Sequence, residues 1–235
     1  MKSLPRHRLE GWRMVVGLAV CIVPLAFGFL LPAGQLLVWV VRTAGHMLDA
    51  DFLRITGNSL MLAGSAALVT LLVGLFMAYG KRLHGDRLVQ GAVRVAGMGY
   101  AIPGTVIAIG VMIPFAWFDN SVDAWMRARF DFSTGLLLSG TLVALLFAYM
   151  VRFLAVALQT VEAGLAKIRP SMDEAARALG LGPLDVLKKV HVPMLRGSLI
   201  TAMLLVFVDV LKELPATLVL RPFNFNTLAV RTYEL

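Results

Sequence analysis

Charged residues are absent from four long stretches of the chain: residues 14–41 (28 residues), 55–80 (26), 95–118 (24) and 132–151 (20). Each holds the roughly 20 apolar residues that a helix needs to cross a hydrocarbon core about 30 Å thick. A fifth stretch, residues 197–220, is 24 residues long and apolar apart from Asp209, Lys212 and Glu213. Helix is the element expected for each, because lipid offers no partner to an unpaired backbone amide. The pattern therefore predicts an all-α integral membrane protein with five spans, read as one domain over residues 1–235. The first stretch exceeds what a bilayer needs and carries Pro24 and Pro32, so its far end is expected to bend or leave the membrane.

Composition agrees: 59% of the 235 residues are hydrophobic and only 15% are charged, against about a quarter in soluble domains. The net charge of +8 does not signal nucleic acid, because its distribution is alternating. The segments 1–13, 81–94 and 152–196 hold fifteen Lys and Arg, and the segments 42–54, 119–131 and 221–235 hold six. By the positive-inside rule the first set is cytoplasmic and the second lies on the other side, with the C-terminus. The apolar run after the basic start is too long for a secretory signal and reads as an uncleaved anchor.

Reactive constellations are not evident. His7, His46, His84 and His191 are scattered without zinc-ligand spacing, and Cys21 lies alone in an apolar run. The tyrosines that would suit ferric iron are spread along the chain, so no metal site is assigned. The run from Gly74 to Arg82 superficially resembles a P-loop. Five residues separate its glycines instead of four, and Arg82 stands where Ser or Thr should follow the lysine.

The segment 159–196 is the informative loop. Ser171 and Glu174 have the spacing of a capping box, so a helix is expected over 172–179 with Gly180 as its left-handed stop. A second helix is expected from near Pro183, ended by Pro193. Such a helical hairpin either docks on a partner or rests on the headgroups.

Glu174-Ala175-Ala176, three residues, Gly180, nine residues and Val190-His191-Val192-Pro193 together resemble the EAA signature of ABC-importer permeases, with valine at its Ile and Leu positions. That resemblance implies a MetI-like helical bundle whose cytoplasmic hairpin couples to an ATPase subunit. Glu174 would cap and contact, Ala175 and Ala176 would allow close approach, Gly180 would permit the turn, and Pro193 would complete the ATPase-coupling set. It further implies an extracytoplasmic solute-binding protein and a second permease half as partners, in a bacterial inner membrane. ATP and Mg²⁺ would sit on the ATPase, with no cofactor on this chain and no enzyme activity of its own.

Three further segments are similar to the second half of ferric-iron permeases: Tyr100 to Gly110, Tyr149 to Phe153, and Lys212 to Thr217 with Arg221 to Phe225. Asn226 stands where that family suggests aspartate. The resemblance implies ferric iron as substrate, with importers of thiamine, polyamine, sulfate or another anion as alternatives. It also implies a further helix after the fifth, so the chain is expected to be C-terminally truncated. A non-transporting remnant is the rival reading.

Within the spans, Asp209 and Lys212 have the i, i+3 spacing of an ion pair, which leaves Glu213 as the unbalanced charge. Intramembrane charges usually face a bundle interior or a wet cavity, which suggests a translocation path or its outer gate. The alternative is a buried structural pair or a set of residues at headgroup level. Pro103 and Gly104 suggest a mid-span hinge or a packing kink. Arg152 is expected to end the fourth span and snorkel to the surface.

Overall fold

The computed structural model describes residues 10–234, with His46 and Met47 described by their backbone alone. His7, the basic residues Lys2, Arg6 and Arg8 of the N-terminal segment, and Leu235 lie outside the described residues. The rest falls into two compact units that meet between Leu53 and Arg54.

The first unit is one apolar rod. Helix α1 (Trp12–Leu25) runs through a π turn (Ala26–Leu30) into α2 (Leu31–Met47), with Pro24 inside α1 and Pro32 at the start of α2. The helix continues through both prolines. Pro32 has no N–H to give the carbonyl four residues back, and the wide turn before it absorbs the mismatch without ending the helix.

The second unit takes up α3 (Ala50–Leu83) from Arg54 onward, followed by α4 (Arg87–Ala96) and a 3₁₀ turn (Gly99–Ala101). Then come α5 (Gly104–Phe130) and α6 (Leu142–Leu165). The short arms α7 (Pro170–Ala178) and α8 (Pro183–Val186) form a hairpin. A π turn (Leu187–His191) joins α8 to α9 (Val192–Leu211), and α10 (Pro215–Leu220) and α11 (Leu228–Glu234) complete the unit. Among the described residues five helices are long and apolar enough to cross a membrane: Trp12–Gly45, Ala50–Leu83, Gly104–Phe130, Leu142–Leu165 and Pro183–Leu211. The all-α class and the number of spans agree with the sequence pattern.

Three span boundaries move, each for a physical reason. The third span starts at Gly104 instead of residue 95, because Ile102, which precedes a proline, is extended and Pro103 begins a new helix. Its far end passes Asp119 and Asp123 to reach Phe130. Their carboxylates are satisfied by loop amides: Leu138 and Ser139 donate to Asp119 at 3.0 and 2.7 Å, and Thr134 and Gly135 to Asp123 at 2.8 and 3.3 Å. The fourth span starts at Leu142 because residues 132–141 form that loop, and it runs on to Leu165. The fifth helix stops at Leu211, and residues 212–214 separate it from α10.

Helix α6 is the hub of this unit. It packs against α5, α9, α10 and the 3₁₀ turn, and its buried face presents Ala144, Leu145, Ala148, Tyr149 and Ala157. Facing positions are small as well, with Ala63, Ala66 and Ala67 of α3, Ala108 of α5 and Ala202 of α9 buried. Lipid supplies no hydrophobic drive between helices, so close van der Waals approach has to hold them together. Gly164 shows how close: a Cβ there would lie 2.6 Å from Ser198 Oγ and 2.8 Å from Leu195 Cδ2 on α9.

Candidate functional site

Two clusters of charge are buried in the second unit, one at the hairpin and one where two helices are broken.

The hairpin turns at Gly180, whose φ of +81° is a conformation that a side chain disfavours. Gly180 N–H donates to Arg177 O and Leu181 N–H to Ala176 O, at 2.9 and 3.2 Å, which satisfies the last carbonyls of α7. These two bonds are a Schellman stop, as Gly180 suggested. The capping box does not form. Pro170 opens α7 two residues earlier than expected, Arg169 takes the cap position, and no side chain caps the helix. Pro193 does not end the second arm either. It lies in the first turn of α9, and the π turn just before it accommodates its missing N–H, so α8 and α9 form one helical rod. Glu174, Ala175, Gly180 and Pro193 are exposed, whereas Ala176 faces the chain's own interior. Leu179 at 83% exposure and Leu184 at 60% give the tip an apolar surface.

Behind that surface lies a charge cluster that the sequence pattern did not single out. Asp173 is buried, and its Oδ2 receives Arg82 Nε at 2.8 Å while its Oδ1 meets His191 Nε2 at 2.8 Å. Arg82, at the end of α3, also donates to Leu165 O and Ile168 O at 2.6 and 2.9 Å, taking up carbonyls left open where α6 ends. Tyr79 donates to Pro183 O at 2.7 Å and lies edge-on to the His191 ring, 5.3 Å between centroids. Lys81 pairs with Glu162 of α6 at 2.8 Å. The one signal for Asp173 in the sequence is its position three residues before Ala176, on the inward face of α7.

Burial pushes the Asp173 carboxyl up, but the bond and charge of Arg82, together with His191, outweigh it and hold the group below its ordinary 3.8. A carboxyl depressed on folding contributes stability above its unfolded value and loses that contribution as pH falls through the folded one. Burial holds His191 below its ordinary 6.5, so that group begins to cost stability as pH falls toward 5. The Asp173 contribution is isolated by comparing the native hairpin with Asp173→Asn. The native hairpin is expected to resist proteolysis better than the variant down to about pH 4, with the difference lost only below the ordinary carboxyl range. A difference already lost above about pH 4 would contradict the anchoring.

The second cluster joins the break before α5 to the break before α10. Arg152 is not at the end of its span as expected. It lies ten residues into α6, where Nη1 donates to Ile102 O at 3.0 Å and Nε lies 3.2 Å from Glu213 Oε2. The Nε contact is an ion pair by distance only, since that N–H is not aimed at an acceptor. The guanidinium also lies 5.7 Å from the Phe153 ring centre. Glu213 is therefore not the unbalanced charge. Its Oε1 accepts from Ala216 N at 3.3 Å, and its main-chain oxygen accepts from Thr217 Oγ1 at 2.5 Å. With its hydrogen given to Glu213, Thr217 Oγ1 accepts from Tyr149 OH at 2.5 Å. Gly104 completes the site, since a Cβ there would collide with Glu213 Oε1 and lie 2.8 Å from Arg152 Nη1.

Of the five path candidates, the fold brings Pro103, Gly104 and Glu213 together. Asp209 and Lys212 form their own pair at 2.8 Å, as their spacing indicated. Asp209 lines a cavity of about 590 Å³ with Tyr100, Gln159, Thr160 and Leu205. Gln159 and Thr160 also line a second cavity of about 750 Å³ that reaches Lys167, Ser198 and Thr201.

A bundle of apolar helices, with broken helices and charges paired at the breaks, is that of a multi-pass membrane protein. The chain belongs to the family of binding-protein-dependent transport system inner membrane components, the ABC importer permeases, whose pattern matches residues 70–230. It is similar to the Fe(3+)-transport system permease protein FbpB 2 of Haemophilus influenzae, 24% identical over 224 residues that cover 89% of this chain and 41% of that protein. It is also similar to the putative 2-aminoethylphosphonate transport system permease protein PhnV of Salmonella typhimurium, 27% identical over 177 residues that cover 75% of this chain and 61% of that protein. The ferric transport system permease protein FbpB of Actinobacillus pleuropneumoniae is 26% identical over 162 residues, 68% of this chain and 21% of that protein. The chain thus spans about two fifths of FbpB 2 and about three fifths of PhnV.

Proposed function

We propose that this permease passes ferric iron inward by alternating access, driven by a separate ATPase subunit that docks on the α7–α8 hairpin. The observation that carries the docking is the hairpin itself: an exposed tip of Leu179 and Leu184 beside Glu174 and Ala175, held from behind by the buried Asp173 cluster. An apolar surface of this kind on a braced turn fits a partner's cleft. ATP and Mg²⁺ belong to that partner. A binding protein delivers substrate to the far side, a second permease half completes the path, and the hairpin and N-terminus face the cytoplasm. The paired charges at Arg152, Glu213, Asp209 and Lys212 mark the path, where uncompensated charge would be costly. The FbpB relatives support ferric iron as cargo, and the PhnV relatives favour an organophosphonate as the second reading.

Affinity purification of the importer in detergent tests the docking. Proline cannot adopt the φ of +81° at Gly180, so Gly180→Pro is expected to lose the ATPase subunit that the native chain retains. Retention by both forms would remove the hairpin from the interface. Uptake of radiolabelled Fe³⁺ by a strain lacking its own importers decides the cargo. Absence of an iron signal, with uptake of labelled 2-aminoethylphosphonate, would transfer the assignment to the second reading. Unchanged uptake in Glu213→Gln would take that residue off the path.

A further inference from the structure

The hairpin has two connections to the spans, and only one of them is continuous helix. Through α8 and the π turn it continues directly into α9. Its other arm, α7, is tied to the end of α6 only by the short non-helical link around residues 167–169. Such a link transmits a push poorly. The side chains supply the missing stiffness. Arg82 spends Nε on Asp173 of α7, Nη1 on Leu165 O and Nη2 on Ile168 O, so one guanidinium fixes the end of α3, the end of α6 and the first arm of the hairpin to one another. Asp173 carries the tie onward to His191 in the π turn below α9. Tyr79, three residues before Arg82 on α3, holds the start of the second arm through Pro183 O. Asp173, Tyr79 and His191 are buried, in contrast to the exposed Leu179 and Leu184 of the tip.

We propose that Asp173, Arg82 and Tyr79 form a positioning joint that passes displacement of the hairpin to α3, so that the ends of α3, α6 and α9 move together when the ATPase moves the tip. This rests on the docking reading above and adds a route that the peptide chain does not provide. Its three residues act through α3 and need not touch substrate or nucleotide.

The test uses the assembled importer in proteoliposomes, with ATP hydrolysis and substrate uptake measured on the same sample. Asp173→Asn removes the charge that Arg82 and His191 share while keeping the size of the side chain. The ATPase is expected to stay bound and to hydrolyse ATP, while ATP consumed per substrate imported rises at least about tenfold. Asp173→Glu keeps the carboxylate and is expected to recover most of the coupling, which a role in shape alone would not predict. Tyr79→Phe deletes a single bond with no change of shape and is expected to raise the ratio severalfold. An unchanged ratio in Asp173→Asn overturns the joint. If Asp173→Asn fails to assemble, Tyr79→Phe decides, and native coupling there overturns it. Native complexes that hydrolyse ATP without uptake would defeat the functional reading and this inference with it, and they are recognisable because the native protein fails too.

Discussion

Arg152→Ala is expected to be the most damaging single substitution in this chain, lowering stability by about 3–5 kcal/mol through the loss of one partner from a buried ion pair. The carboxylate left behind, Glu213, is only 7% exposed, and its remaining side-chain partner is the amide of Ala216. Ile102 O loses its donor at the same time, in a segment that has no helical ladder to replace it. Thermal unfolding in detergent should show a large fall in the midpoint. Removing both charges, in Arg152→Ala with Glu213→Ala, is expected to recover part of the loss, because no uncompensated charge then remains. Strictly additive losses would mean that the two residues do not act as a pair.

Gly104→Ala comes second, at about 1–3 kcal/mol from overpacking. Alanine ordinarily strengthens a helix relative to glycine, so the sign here depends wholly on what the new methyl meets. It meets the carboxylate of Glu213 and the guanidinium of Arg152, and neither can retreat without breaking the pair. Gly110, six residues further along α5, has open space around its Cα, and Gly110→Ala is expected to be neutral or mildly stabilising. Equal stability of the two variants would show that Gly104 is not crowded. The same comparison in an uptake assay should separate them further, because the clash falls where two helix breaks meet.

The class of fold and the number of spans were legible because a helix that must bury no polar group in lipid leaves a long uncharged signature. Boundaries were less legible, because absence of charge is only a proxy for helix. Asp119 and Asp123 interrupt the signature although the helix continues, since loop amides that are distant in sequence satisfy them. Residues 132–141 extend the signature although they form a loop. Local chemistry could be read where it is local: Gly180 as a turn, Asp209 with Lys212 as a pair three residues apart. Arg152 and Glu213 stand sixty-one positions apart, and Asp173 and Arg82 ninety-one. Only the packing of α6 against its neighbours brings such pairs together. His191 looked isolated for the same reason. Pro193 misled because proline ends helices as a rule, whereas here a wide turn precedes it and lets the helix pass.

The seam between α6 and α9 is tight at Gly164, which has no side chain and lies directly against Ser198 and Leu195. A larger residue yields to a load by turning about its χ angles, but a glycine has no such degree of freedom. That crossing is therefore stiff, and under the coupling proposed above a displacement at the hairpin end would pass it with little loss. The first compliant element it reaches is the non-helical stretch 212–214, beside the break at residues 102–103. Along the α8–α9 rod, the change from stiff helix to non-helical chain thus falls at the level of Glu213.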